Sequence, residues 1–114
     1  VTDCLFCKIV AKEIPADVVL ETDRTLAFRD INPQAPMHVL VIPKEHHANA
    51  AELAVADDGL ADDVLKTAHE VAVREGVAET GYRVVFNTGP GAGQTVFHVH
   101  AHVLGGRNLT WPPG

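Results

Sequence analysis

At 114 residues the chain is the size of one domain, 1–114, long enough to bury roughly two-thirds of the surface its unfolded form would expose. A formal net charge of -6 argues against a broad basic surface for nucleic acid, so any phosphate ligand has to be met by local donors rather than by the field of the whole protein. No apolar run approaches the roughly 20 residues of a membrane helix, and the opening Val1-Thr2-Asp3-Cys4 has neither the basic region nor the apolar core of a secretory signal. A cytoplasmic location is therefore expected, which favours thiols or metal ligands over a structural disulfide for Cys4 and Cys7.

In chain order, Cys4 to Lys12 reads as a short helix stopped by Ile14-Pro15, because proline disfavours helix in the residue before it. Val18 to Glu21 and Thr25 to Arg29 read as two strands joined by a turn around Asp23 and Arg24. Met37 to Ile42 is nearly all apolar and β-branched, as a central buried strand would be, and Pro43 ends it. Asp57 or Asp58 can cap a long helix running to about Glu75, in which Leu60, Val64, Leu65, Ala68, Val71 and Ala72 keep helical spacing and Gly76 suits the C′ position. Tyr82 to Phe86 is a further strand. The turn-rich Asn87 to Gly93 then leads into a last strand, Gln94 to Leu104. One short helix, one long helix and five strands, the last two joined by a tight connection, give an α+β domain with a mostly antiparallel five-stranded sheet.

Within the last strand His98, His100 and His102 alternate with Val99, Ala101 and Val103. Alternate strand residues share a face, so the three imidazoles stand in a row, roughly 6–7 Å per step, with the small apolar residues on the other side. Three of the chain's seven histidines thus fall on one strand face. Such a row can be a set of core histidines, a metal site, or a catalytic site for phosphate chemistry. Gly89, Gly91 and Gly93 lie immediately upstream, where glycines let backbone N–H groups close around an anion, and this favours the catalytic option. Cys4-Leu5-Phe6-Cys7 has spacing suited to a tetrahedral ion or to a redox pair. Read alone, His38 is a core histidine in an apolar strand and Asp30 a turn carboxylate before Asn32-Pro33. The acidic Asp57-Asp58 and Asp62-Asp63 pairs fit a helix N-terminus and a solvated face better than a cation site.

The segment GQTVFHVHAHVLG, Gly93 to Gly105, resembles the signature of the histidine triad (HIT) family of nucleotide hydrolases and transferases. The likeness extends to CLFCKIVAKEIPA (Cys4 to Ala16), FRDINPQAPMHVLVIPK (Phe28 to Lys44) and GGRNLTWPPG (Gly105 to Gly114), all of which look like the Hint branch. The resemblance implies a HIT-like fold and hydrolysis of the P–N bond of purine nucleoside 5′-phosphoramidates. In that reaction His100 is the nucleophile of a nucleotidyl-histidine intermediate, His102 binds the phosphoryl oxygens and His38 orients the cluster. It further implies substrate contacts from Asp30 and Ile31, at the ribose and base, and from Asn87, Gly93, Gln94 and Thr95, around the phosphate and leaving group. Where Thr95 stands the branch often has serine; the hydroxyl is kept and its rotamer restricted.

By the same resemblance a structural zinc, not needed for the chemistry, is held by Cys4, Cys7, His46 and His98, with His47 an alternative or a bystander. The apolar tail Leu109 to Gly114 is expected to dock rather than fray, and in the Hint branch it reaches the partner's active site in a symmetric homodimer. Two competing functions fit the same residues: a nucleotide-binding regulatory or scaffold protein whose hydrolysis is incidental, and a dinucleoside polyphosphate hydrolase.

Overall fold

The computed structural model describes residues 3–56 and 58–114. Five strands form one antiparallel sheet: β1 (Val18–Glu21), β2 (Thr25–Arg29), β3 (Met37–Pro43), β4 (Tyr82–Val85) and β5 (Ala101–Gly105), in the order β1-β2-β3-β5-β4. The last strand therefore inserts beside β3, at the middle of the sheet, and that insertion brings His102 opposite Leu40 and one diagonal step from His38.

Alternation along β3 and β5 builds two cores. Val39, Val41, Ala101 and Val103 face α3 (Leu60–Arg74), whose Leu60, Val64, Ala68, Val71 and Ala72 are all buried against them; α2 (Ala50–Ala56) adds Leu53. Leu40 and Ile42 face the other way and join Leu26, Phe28 and the short helix α1 (Leu5–Val10), which contributes Phe6 and Ile9. Every residue of β3 is buried, as its composition predicts.

Three sequence expectations need correction. First, α2 adds a second short helix. Second, β5 begins at Ala101 and not near Gln94, because the β3 ladder stops at Val41, two residues before Pro43. Beyond it Val99 N–H donates to the His47 carbonyl at 2.7 Å instead of to a strand. The histidine row nevertheless keeps its alternation: Val99 is buried in the α3-side core with Ala101 and Val103. Third, α1 ends at Val10, well before Pro15, where Lys12 takes a left-handed φ of 64°.

The long helix is held at both ends as expected, with one shift. Gly59 occupies its N-cap position and Asp58 Oδ1 accepts from Leu60 N–H at 3.2 Å, while Asp57 lies outside the described residues. Asp58 and Asp63 both pair with Arg24, which fits the solvated helix start rather than a cation site. At the other end Gly76 is left-handed at φ 76°, and Gly76 and Val77 N–H donate to the Val73 and Ala72 carbonyls, the paired bonds of a Schellman cap.

Candidate active site and metal centre

On the α1 side of the sheet lies a cavity of about 560 Å³, within the range of small-molecule sites. Its walls include Leu5, Phe6 and Ile9 of α1, Phe28 and Leu40 of the sheet, and Val96; its polar edge is formed by Asp30, Thr95, His100 and His102. Ile31 stands at the lip, fully exposed.

Hydrogen bonds to groups that can only donate or only accept decide where each imidazole proton sits. His100 Nδ1 is 2.9 Å from the His98 carbonyl oxygen, so Nδ1 carries a proton and donates it there, and Nε2 is the nitrogen that this bond leaves unengaged. His38 Nδ1 accepts the Gln34 N–H at 3.0 Å, which puts the His38 proton on Nε2. That nitrogen is 2.9 Å from His102 Nδ1 and 3.3 Å from Asp30 Oδ2. His102 therefore accepts at Nδ1 and keeps its own N–H at Nε2. Burial pushes His102 down to about 4 and lowers His38 as well, against the opposing pull of Asp30, so both are neutral at pH 7 and this proton pattern holds there.

Asp30 serves its turn and the site together. Oδ1 accepts from Asn32 N–H at 2.9 Å, as a turn carboxylate would, while Oδ2 faces His38 beside the cavity. The glycine-rich connection departs from expectation. N–H groups of Gly89, Ala92, Gly93 and Gln94 are already engaged: Gly89 with Gln94 Oε1 at 2.8 Å, Ala92 and Gln94 with the Gly89 carbonyl, and Gly93 with the Pro90 carbonyl. The Gln94 side chain is buried and its Nε2 donates to the Ala48 and Val96 carbonyls, so Gln94 braces the loop rather than offering a donor to ligand. Asn87 and Gly93 likewise lie off the cavity lining, leaving Thr95 as the residue of this stretch, among those expected, that reaches it.

Behind the histidine row Cys4 Sγ, Cys7 Sγ, His46 Nδ1 and His98 Nδ1 all lie within 4.8 Å of one another. His98 is wholly buried, and its Nε2, 2.7 Å from the Pro43 carbonyl oxygen, must carry the proton, so Nδ1 turns a bare lone pair to the cluster. Separations are 3.2 Å between the two nitrogens and 3.4, 3.4 and 3.5 Å between nitrogen and sulfur. A tetrahedral zinc, with bonds of about 2.0–2.1 Å to nitrogen and about 2.3 Å to sulfur, sets those edges near 3.3–3.4 and 3.6 Å. The four donors fit such an ion. Burial and the adjacent Cys4 raise the Cys7 thiol, which a bound divalent cation would deprotonate. His47 is not part of the cluster; its Nε2 pairs with Glu45 at 2.7 Å.

Several participants were not evident from sequence. Gln34 N–H and the Pro43 and His98 carbonyls set the proton positions, and backbone groups leave no trace in residue type. Phe6 packs edge-on to Phe28, His98 and His100 with ring centres 5.4, 6.0 and 5.2 Å away, and its place between the two cysteines was the available signal. The apolar tail is tied by Arg83 Nη2 donating to the Thr110 carbonyl at 2.8 Å, but Trp111 remains 82% exposed.

Comparison with known proteins agrees with this architecture. Residues 11–109 match the family model described as the HIT domain. A 14 kDa zinc-binding protein of Zea mays is 50% identical over 113 residues, covering 96% of this chain and 87% of the relative. An adenylylsulfatase of Arabidopsis thaliana is 49% identical over 113 residues, covering 96% and 76%. The crystal structure of a HIT family hydrolase from Legionella pneumophila superposes with a TM-score of 0.94 at 54% identity, covering 98% of this chain and all of the other. With its fold, its histidine row and a family match spanning nearly its full length, the chain belongs to the HIT family.

Proposed function

We propose that the protein is a nucleotide hydrolase that cleaves the P–N bond of purine nucleoside 5′-phosphoramidates through a covalent intermediate on His100. The observation that carries this is the hydrogen-bond pattern of the row: His100 Nδ1 is held by the His98 carbonyl, which leaves Nε2 for attack, beside a His102 whose Nδ1 is held by His38 and whose Nε2 is left to donate. The apolar part of the cavity takes the base, with Ile31 at its lip, and Asp30 accepts from the ribose hydroxyls. His100 Nε2 attacks the α-phosphorus and the P–N electron pair leaves with the amine, which takes up a proton from water at the cavity mouth. A second water then breaks the N–P bond to His100 and releases the monophosphate. The His98 carbonyl holds the His100 Nδ1–H throughout and stabilises the imidazolium-like ring. His102 Nε2–H meets the phosphoryl oxygens where charge develops. Zinc at Cys4, Cys7, His46 and His98 would brace the His98 end of the row and take no part in these steps.

Adenylyl sulfate is a second substrate reading, motivated by the adenylylsulfatase relative. The same attack would expel sulfate, which needs no proton on departure. Turnover of adenosine 5′-phosphoramidate and of adenylyl sulfate should be compared for the wild type and His100→Asn. The variant is expected to lose roughly a thousandfold or more in kcat on either substrate. Undiminished turnover would remove His100 as nucleophile, and a wild type preferring sulfate would replace the P–N reading.

A further inference from the structure

Helix α1 belongs to two sites at once. Its N-cap Cys4 and its own Cys7 supply two of the four donors of the cluster, while Leu5, Phe6 and Ile9 form one wall of the cavity. At six residues it is too short to be stable unaided. What holds it is burial of Cys4, Phe6 and Ile9 together with the approach of both thiols to His46 and His98. Among the described residues no other side-chain hydrogen bond ties Cys4–Val10 to the rest of the chain. Phe6 is the direct link, since its ring meets the metal-side His98 and the cavity-side His100 edge-on. Leu5, by contrast, is 45% exposed, as a wall residue without backing would be.

We propose that α1 couples the two sites: a divalent ion held by Cys4, Cys7, His46 and His98 fixes Leu5, Phe6 and Ile9 as a wall of the nucleotide cavity, so that metal and nucleoside monophosphate bind with positive cooperativity. The coupling rests on the nucleotide reading given above. Without the ion, α1 samples positions away from the sheet, and a nucleotide must first restore the wall before binding to it. Reciprocity is then unavoidable, because a nucleotide that favours the docked helix raises the affinity for the ion by the same factor. Phe6 is a positioning residue in this scheme.

Calorimetric titration of AMP into zinc-loaded protein, into protein stripped by a chelator, and into stripped protein given zinc again provides the test. Zinc is expected to lower the AMP dissociation constant about fivefold or more, reversibly. Saturating AMP should strengthen zinc retention against a chelating dye by the same factor. Amides of Leu5–Val10 should exchange with deuterium faster after stripping and slow again with AMP. Cys7→Ser with zinc present should bind AMP as stripped wild type does, and Phe6→Leu should bring the plus-zinc to minus-zinc affinity ratio towards one while zinc stays bound. Equal AMP affinity with and without stoichiometric zinc would overturn the coupling, as would failure to bind zinc or global unfolding on its removal. Failure of zinc-loaded protein to bind AMP at all would instead overturn the nucleotide reading beneath it.

Discussion

At Gly105 a side chain would crowd Val77. A Cβ placed there would lie 3.1 Å from both Cβ and Cγ2 of Val77 and 3.2 Å from its Cγ1, and Val77 is buried in the α3-side core. Overpacking of this kind costs about 1–3 kcal/mol. Gly105→Ala is therefore expected to lower the urea midpoint by a corresponding amount, and Val77→Ala in the same chain to recover most of the loss. Equal losses in the single and double variants would show that the contact is not the cause. The histidines illustrate what residue-level reading can and cannot reach. Alternation of polar and apolar residues put His98, His100 and His102 on one face from sequence alone. What distinguishes them, His98 turned to the cysteine cluster and His100 and His102 edging the cavity with different nitrogens engaged, depends on the Pro43 and His98 carbonyls and the Gln34 N–H, which any residue type would supply equally.

Among the elements, β1 and β2 keep their expected bounds, and α3 buries one stripe, Leu60, Val64, Ala68, Val71 and Ala72, although Leu65, expected in that stripe, faces solvent. Helix α2 differs. Its sequence, AAELAVA, buries Leu53 and shows no stripe, so periodicity is silent. The local signal is instead at its entry, where Asn49 Oδ1 accepts from Glu52 N–H at 3.0 Å and Glu52 Oε1 reaches back to Ala48 N–H at 3.3 Å, close to a capping box. Asn49→Ala should cost about 1 kcal/mol in chemical denaturation, with an unchanged midpoint excluding a capping role. The overextended β5 has a different origin. The alternating pattern persists from His98 onward, but the β3 ladder ends at Val41 and the Pro43 carbonyl is claimed by the His98 ring, so alternation outlasts hydrogen-bonded strand there.

For the whole molecule, neutral histidines at the edge of the cavity and beneath it make acid a denaturant. Burial lowers His102 to about 4 and lowers His38, whereas in the unfolded chain both titrate near 6.5. Between those values the unfolded state binds more protons, so stability is full above about pH 6.5, declines as pH falls and levels below about 4. In zinc-free protein the urea midpoint is expected to fall between pH 7 and pH 4.5, and His102→Asn to flatten that slope; an identical slope in the variant would place the dependence elsewhere. The net charge of -6 is legible from sequence and says little about this behaviour, which depends on which histidines the β5 insertion carries inward.

That insertion has a consequence for the lengths evolution and engineering can tolerate. Val99, Ala101 and Val103 fill one core while His100 and His102 face the other side, so the stretch carries two messages in interleaved positions. Removing or adding one residue within 98–103 would exchange the messages, sending imidazoles into the core and valines to the cavity. Only even changes preserve the parity. Stability and chemistry therefore share a single counting rule over six residues, and a lineage could relax neither without losing the other.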